Sequence, residues 1–347
     1  MSNLLAFDDY NVTKIRARFP SLTIKDNGAN RIYLDNPGGT QICQSSLDQI
    51  QNYLLRNNAN SGGTFRTSLE TDAVLLKTRV AMSEFLNAAT EKEIVFGQNM
   101  TSLTFAISHS LTKWIKPEHE IIVTRLDHDA NIAPWLQLSD ETGAKIRWID
   151  FDQRDCTLNL KNFEKLLTDK TKLVAVGYAS NSVGTINPIK EIAAIAHSVG
   201  ALVFVDAVQY APHAPIDVQD IGADFLVCSP YKFFGPHQGV LWAKYELLDS
   251  LPAYKVRPAE NKPPHKFETG TQSHEGQAGT LGALEHIAWI GDKFGHYYAK
   301  QFSEMSHRRL HLHCGMAAIQ AYEQQLSAHL IEGLLKISGA KIWGITD

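Results

Sequence analysis

The runs Leu173-Val-Ala-Val-Gly177, Pro188-Ile-Lys-Glu-Ile-Ala-Ala-Ile-Ala-His-Ser-Val-Gly200 and Ala201-Leu-Val-Phe-Val-Asp206 read in order as strand, helix and strand. The outer two are continuously apolar rather than alternating, which suits a sheet covered on both faces. In the middle run Ile189, Ile192, Ala193, Ile195, Ala196 and Val199 recur at helical spacing, with Pro188 at the start and Gly200 just past the end. Five further runs have the same strand character: Glu93-Ile-Val-Phe-Gly97, Ile121-Ile-Val-Thr-Arg125, Ile146-Arg-Trp-Ile149, Phe225-Leu-Val-Cys228 and Gly239-Val-Leu-Trp-Ala243. Strands alternating with helices predict an α/β fold: a mostly parallel seven-stranded sheet with flanking helices.

The ends of the chain read differently. A short helix is expected around Val12 to Arg18, followed by Pro20, and Lys25-Asp-Asn-Gly28 before Ile32-Tyr-Leu34 suggests a hairpin turn. After Leu251, Pro252, Pro258, Pro263 and Pro264 mark a boundary or a mobile loop. Two helical stretches from about Gly276 to Leu335 then read as a second, smaller domain. The expected division is an N-terminal segment at 1–25 packing with the small domain, a large domain at 26–255 and a partial small domain at 256–347.

Composition narrows the function. The 347 residues are 44% hydrophobic and 20% charged, as in an ordinary globular protein of about two domains. A net charge of −4, with no basic run or stripe, offers no field for nucleic acid. The N-terminus lacks the basic and apolar regions of a signal peptide, and no apolar segment approaches the roughly 18 residues of a membrane span. Cys43, Cys156, Cys228 and Cys314 are far apart and form no CxxC pair, which suits free thiols in a reducing cytoplasm. Cys228, inside an apolar strand, reads as a core residue.

Chemistry enters at the strand ends. Lys232 follows a strand in Phe225-Leu-Val-Cys-Ser-Pro-Tyr-Lys-Phe-Phe-Gly-Pro-His-Gln-Gly239, and Asp206 ends another, with Gln209 close behind. In open α/β sheets ligands bind beyond the carboxyl ends of the strands, so Asp206, Gln209, Ser229 and Lys232 can share one crevice. A lysine and an aspartate placed so are what pyridoxal 5'-phosphate (PLP) needs: a Schiff-base amine and a counter-ion for its pyridine nitrogen. Spacing alone equally allows Asp206 as a helix cap and Lys232 as a solvated loop residue. His128 follows another strand, where an imidazole can stack on a flat ring. Gly97-Gln-Asn-Met-Thr-Ser102 opens a helix whose free N–H groups suit a phosphate, although Thr and Ser also serve there as plain caps. No GxGxxG follows a strand, which argues against a dinucleotide oxidoreductase. His307, His311, His313 and Cys314 cluster on one helical stretch, Ser306 to Leu326, without an obvious third ligand, so no metal site is expected.

With these residues in hand, the chain resembles the class-V aminotransferase family of fold-type-I PLP enzymes, and within it the cysteine desulfurase and selenocysteine lyase-like group. The resemblance runs from about Phe7 to the end. Tyr33-Leu-Asp-Asn-Pro-Gly-Gly39 and Asn58-Ala-Asn60 are similar to the family's substrate-side loops, and Asp127 to Trp135 to the segment whose histidine, here His128, stacks on the ring. Ser180 to Pro188 resembles the loop whose asparagine, here Asn181, lies near the phenolic oxygen. Asp206-Ala-Val-Gln209 and Ser229-Pro-Tyr-Lys232 match the pyridinium aspartate, the glutamine near the phenolic oxygen, the phosphate-binding serine and the Schiff-base lysine. The likeness also implies phosphate contacts from the Met100 and Thr101 N–H groups. It implies a homodimer in which Thr271, in Phe267-Glu-Thr-Gly-Thr271, reaches the partner's phosphate.

The activity implied is PLP-dependent release of sulfur or selenium, plus alanine, from a small amino-acid substrate, with a possible sulfur-acceptor protein. An aminotransferase, a racemase or epimerase, and a catalytically silent PLP fold are the alternatives. Two departures bear on this choice. Tyr231 stands where desulfurases commonly carry a histidine before the lysine, although a phenol can still donate to phosphate. The sequence stops at Ile342-Trp-Gly-Ile-Thr-Asp347, where the family continues into the rest of its small domain. That part holds the substrate-carboxylate arginine and the persulfide cysteine, a position none of the four cysteines occupies, so a truncated chain is expected.

Overall fold

The seven apolar runs pair into one sheet, in which all but the half-buried edge strand bury nearly every side chain. A computed structural model describes residues 9–346. The described residues begin with α1 (Asp9–Arg16) and a minimal hairpin of β1 (Lys25–Asp26) and β2 (Ala29–Asn30). Helices α2 (Gln44–Arg56) and α3 (Arg66–Phe85) lead to β3 (Ile94–Gly97) and α4 (Met100–Leu111). Next come β4 (Glu120–Thr124), α5 (Ala133–Thr142), β5 (Lys145–Ile149), α6 (Leu160–Leu166) and β6 (Thr171–Gly177). Helix α7 (Ile189–His197) connects to β7 (Leu202–Asp206), β8 (Phe225–Cys228) and β9 (Gly239–Ala243). Helices α8 (Tyr245–Ser250), α9 (His274–Phe294) and α10 (His307–Leu335) follow.

The sheet order is β3-β9-β8-β7-β6-β4-β5. Only β9 runs against its neighbours, β3 and β8. Being antiparallel to β9, β3 therefore points the same way as β8 and the parallel set, and its carboxyl end joins theirs on one edge. Side chains alternate between two cores. Val174, Val176, Val203 and Val205 face one cluster, while Leu173, Ala175 and Phe204 face the other.

The ends of the chain add detail to the sequence reading. The hairpin turn expected in Lys25–Gly28 is present, with Asn27 and Gly28 both at positive φ and Ala29–Asn30 as its second strand. Ile32 and Leu34 are 79% and 90% exposed and pair with nothing in the sheet. The N-terminal helix begins earlier than Val12 and ends at Arg16, and residues 1–8 of that segment lie outside those described. The expected division at residue 256 is not a break in packing. Leu281, Leu284, Ile287 and Ile290 of α9 share a core cluster with β6 and β7, because α9 is buried on most of its circumference. The N-terminal segment packs on the same helix. Arg18 Nε donates to His286 Nδ1 at 3.0 Å, and Phe19 meets the His286 ring edge-on.

The proline-rich stretch ends in a fixed turn. Arg79 of α3 donates to both oxygens of Glu268, at 2.7 and 3.0 Å, and to the Ile94 carbonyl. Glu268 also accepts from the Phe96 N–H at 2.8 Å. Burial alone would raise the Glu268 carboxyl, but the Arg79 charge and the bonds from His265, Arg79 and Phe96 bring it down to about 2. Removing one partner strands a buried charge, so Glu268→Ala should cost about 3–5 kcal/mol in urea unfolding. A carboxylate with a depressed folded pKa stabilises fully above its unfolded value, about 4.5, and loses that contribution as pH falls toward about 2. Wild type and variant should therefore converge in strong acid; a gap undiminished at low pH would contradict the ion-pair account.

Candidate active site

Five strand ends meet on the carboxyl edge of the sheet and line one cavity of about 360 Å³. β3 supplies Asn99, Met100 and Thr101; β4 supplies Asp127 and His128; β6 supplies Gly177 and Asn181; β7 supplies Asp206 and Gln209; β8 supplies Ser229, Tyr231 and Lys232. Nine of the ten residues singled out from the sequence are thus brought together. Thr271 is the exception: it is exposed in the bend before α9 and does not line the cavity.

Each group is held by local structure. Asn99 caps α4, its Oδ1 accepting from the Ser102 N–H at 2.8 Å. The first N–H groups of that helix, at Met100 and Thr101, have no intrahelical acceptor and are suited to an anion. This helix start lies tight against β9: a Cβ on Gly239 would come within 2.3 Å of the Asn99 carbonyl carbon, so only glycine fits there. His128 accepts at Nδ1 from the Ala130 N–H at 3.0 Å, which puts the proton of the neutral ring on Nε2. The Tyr231 ring stacks on His237 with centroids 4.8 Å apart.

Both members of the central pair are buried, and Asp206 Oδ1 also accepts from the Val208 N–H at 2.9 Å, as a turn cap does. Lys232 and Asp206 are 6% and 8% exposed. Burial raises the Asp206 carboxyl to about 6, against the opposing pull of the Val208 N–H bond and the Lys232 charge. Lys232 Nζ and Gln209 Nε2 both donate to the Pro37 carbonyl, the latter at 2.8 Å. The loop at Asn36–Gly38 therefore sits directly on the pair. Cys228 lies behind them, fully buried, and burial pushes its thiol up.

Sequence reasoning assigned no role to three contributors. The Pro37 carbonyl is backbone and leaves no mark in side-chain chemistry. Asn187 donates to the Gly177 carbonyl at 2.7 Å, and its buried Oδ1 has no partner among the described residues. Asp127 accepts from Thr124 Oγ1, the Gly177 N–H and Asn131 Nδ2 at 2.7, 2.9 and 2.6 Å. A carboxylate three residues past a buried strand was the available signal for it. On α10, His313 and Cys314 face the core, with His313 Nε2 3.2 Å from the Glu84 carbonyl.

The class-V aminotransferase profile matches residues 32–313. The chain belongs to the class-V aminotransferase family. It is 34% identical over 339 residues to a probable cysteine desulfurase of Synechocystis sp., a match covering 95% of this chain and 76% of that protein. It is 36% identical over 352 residues to the aminotransferase-like protein FGM3 of Gibberella zeae, covering 99% and 80%. The crystal structure of the cysteine desulfurase CsdA (S-sulfonic acid) from Escherichia coli superposes with a TM-score of 0.75 at 26% identity, over 96% of this chain and 79% of that one. The fold is therefore fold type I and the cofactor of this enzyme family is PLP. The cavity suits that group: a buried carboxylate lacking a cationic hydrogen-bond partner, a buried amine, open helix N–H groups and the orphaned Asn187 acceptor all face it.

Two outcomes follow for Asp206. The folded, cofactor-free protein holds the Asp206 proton more firmly than the unfolded chain, so this group's contribution falls as pH rises from about 4 through about 6. Asp206→Asn should remove that part of the pH dependence in thermal unfolding. The same change should weaken PLP binding on the order of 10²-fold, the worth of a hydrogen bond to a charged group, in a fluorescence titration.

Proposed function

We propose that this chain is a PLP-dependent enzyme of the cysteine desulfurase and selenocysteine lyase type, acting at Cα of a small amino acid and releasing sulfur or selenium with alanine. The observation that carries the reading is the buried Asp206–Lys232 pair at converging strand ends in a chain similar to cysteine desulfurases along most of its length. Lys232 supplies the amine that holds the cofactor covalently and, once freed, the base that takes the Cα proton. Asp206 keeps the ring nitrogen protonated, an interaction strengthened by burial. His128 covers the ring face, with its tautomer fixed by Ala130. Gln209 and Asn181 orient the phenolic oxygen. The Met100 and Thr101 N–H groups, the Ser229 hydroxyl and the Tyr231 phenol take the phosphate. Bound there, PLP supplies an electron sink for the pair left at Cα.

Borohydride treatment of the PLP-loaded protein should fix the cofactor on Lys232, and Lys232→Ala should lose both the adduct and activity by on the order of 10³-fold. With cysteine and a thiol reductant, sulfide and alanine should appear in equal amounts. A PLP-loaded protein that forms neither product from cysteine or selenocysteine would sink the desulfurase reading. Amino-group transfer to a keto acid would instead favour an aminotransferase, the reading supported by the likeness to FGM3 and by Tyr231 before the lysine.

The proposal includes a homodimer in which Thr271 reaches the partner's phosphate, a possible sulfur-acceptor protein, and work in the cytoplasm. The exposure of Thr271 outside its own cavity supports the first. Four unpaired cysteines, and the absence among the described residues of any helix long and apolar enough to cross a membrane, suit the last. Thr271→Ala should weaken PLP binding on the order of tenfold in the dimer. Unchanged affinity in a dimer of normal mass would remove Thr271 from the site.

A further inference from the structure

Asp127 is a carboxylate within the site that the chemistry above does not use. The residue keeps some surface, but its carboxylate is enclosed by Thr124 at the end of β4, Asn131 in the following turn and Gly177 at the end of β6. Gly177 is the register partner of Asp206, so the two carboxylates flank one pair of adjacent strand ends. Around the pair stand Lys232 beside Asp206 and the buried Cys228 behind it. Arg125, next in the chain but one, is drawn off by Asp150 at 2.7 Å, and His128 is occupied at Nδ1 by Ala130.

The hydrogen bonds favour the ionised form. Oδ1 receives two donors and Oδ2 receives the Asn131 amide, so both oxygens act as acceptors. Asn131 cannot turn its amide over, because its Oδ1 accepts from Trp135 Nε1 at 3.1 Å. A proton on Oδ2 would compete with the Asn131 amide for that oxygen and weaken the hold on the turn that carries His128. Opposing this, burial and the neighbouring Asp206 charge raise the Asp127 carboxyl to about 7, above the position its three donors alone would give. A cation beside Asp206 offsets that repulsion.

We propose that ionised Asp127 is a positioning residue that fastens the His128 turn to the end of β6, and that the ring cation of bound PLP, by neutralising Asp206, favours this fastened state; this rests on PLP binding at Lys232 and not on which amino acid is turned over. Linkage makes the coupling reciprocal: the cofactor favours ionisation of Asp127, and ionised Asp127 favours the cofactor.

The test is PLP affinity against pH, from 5.5 to 8.5, compared between wild type and Asp127→Asn so that free PLP's own titration cancels. Wild-type affinity should gain up to tenfold per pH unit through about pH 7 relative to the variant, and the induced circular dichroism of bound PLP should weaken in the variant as the His128 turn loosens. Identical pH profiles and identical dichroism would overturn the proposal. If Asp127→Asn fails to fold, Asn131→Ser carries the test. Losing one hydrogen bond to the charged form should move the midpoint up by about one to two pH units, and an unmoved midpoint would overturn the proposal. Failure of borohydride to trap PLP on wild-type Lys232 would instead sink the cofactor site itself, a result separable from either outcome.

Discussion

A sheet covered by helices on both faces has one place left for polar chemistry, the edge where its strands end. Every other part of β4, β6, β7 and β8 is committed to burial. Polar side chains can appear only after the last apolar residue, and there they converge because the strands run in parallel. The reversed strand β9 extends this logic. It lets β3 run with the parallel set and carries the N-terminus of α4 to the same edge.

The cost of that edge is electrostatic. Asp127 and Asp206 sit where burial resists ionisation, and each is kept in place by local donors. Lys232 alone does not satisfy both, since its amine is directed to the Pro37 carbonyl. A site with two raised carboxylates, one amine and open helix N–H groups is arranged for a ligand with a cationic ring and an anionic tail. Stability and ligand preference here have one cause: the charges buried at the strand ends.

Much of this was legible in advance. The strand cores matched because the apolar runs are short, bounded and, apart from the edge strand β5, buried on both sides, and Pro188 and Gly200 bracket α7 through local backbone preferences. Local pattern was silent about neighbours. Ile32 and Leu34 are apolar yet exposed, with no strand beside them to pair with. Helix α9 follows a proline-rich stretch, and only the pairing of Arg79 with Glu268 shows that stretch bound back to α3 and β3. Asp127 passed unnoticed because its partners Thr124, Asn131 and Gly177 are individually unremarkable.

The sequence by itself determined the order of strands and helices, the lysine and aspartate at strand ends, and a family resemblance specific enough to name the cofactor. These follow from periodicity and motif, which are local properties of the chain. Only the tertiary structure decided that the β4 and β6 ends lie side by side, that Asp127 reaches Gly177 across fifty residues, and that Thr271 lies outside its own cavity. Strand adjacency is set by how helices cover the sheet as a whole, and no single stretch of sequence carries that information.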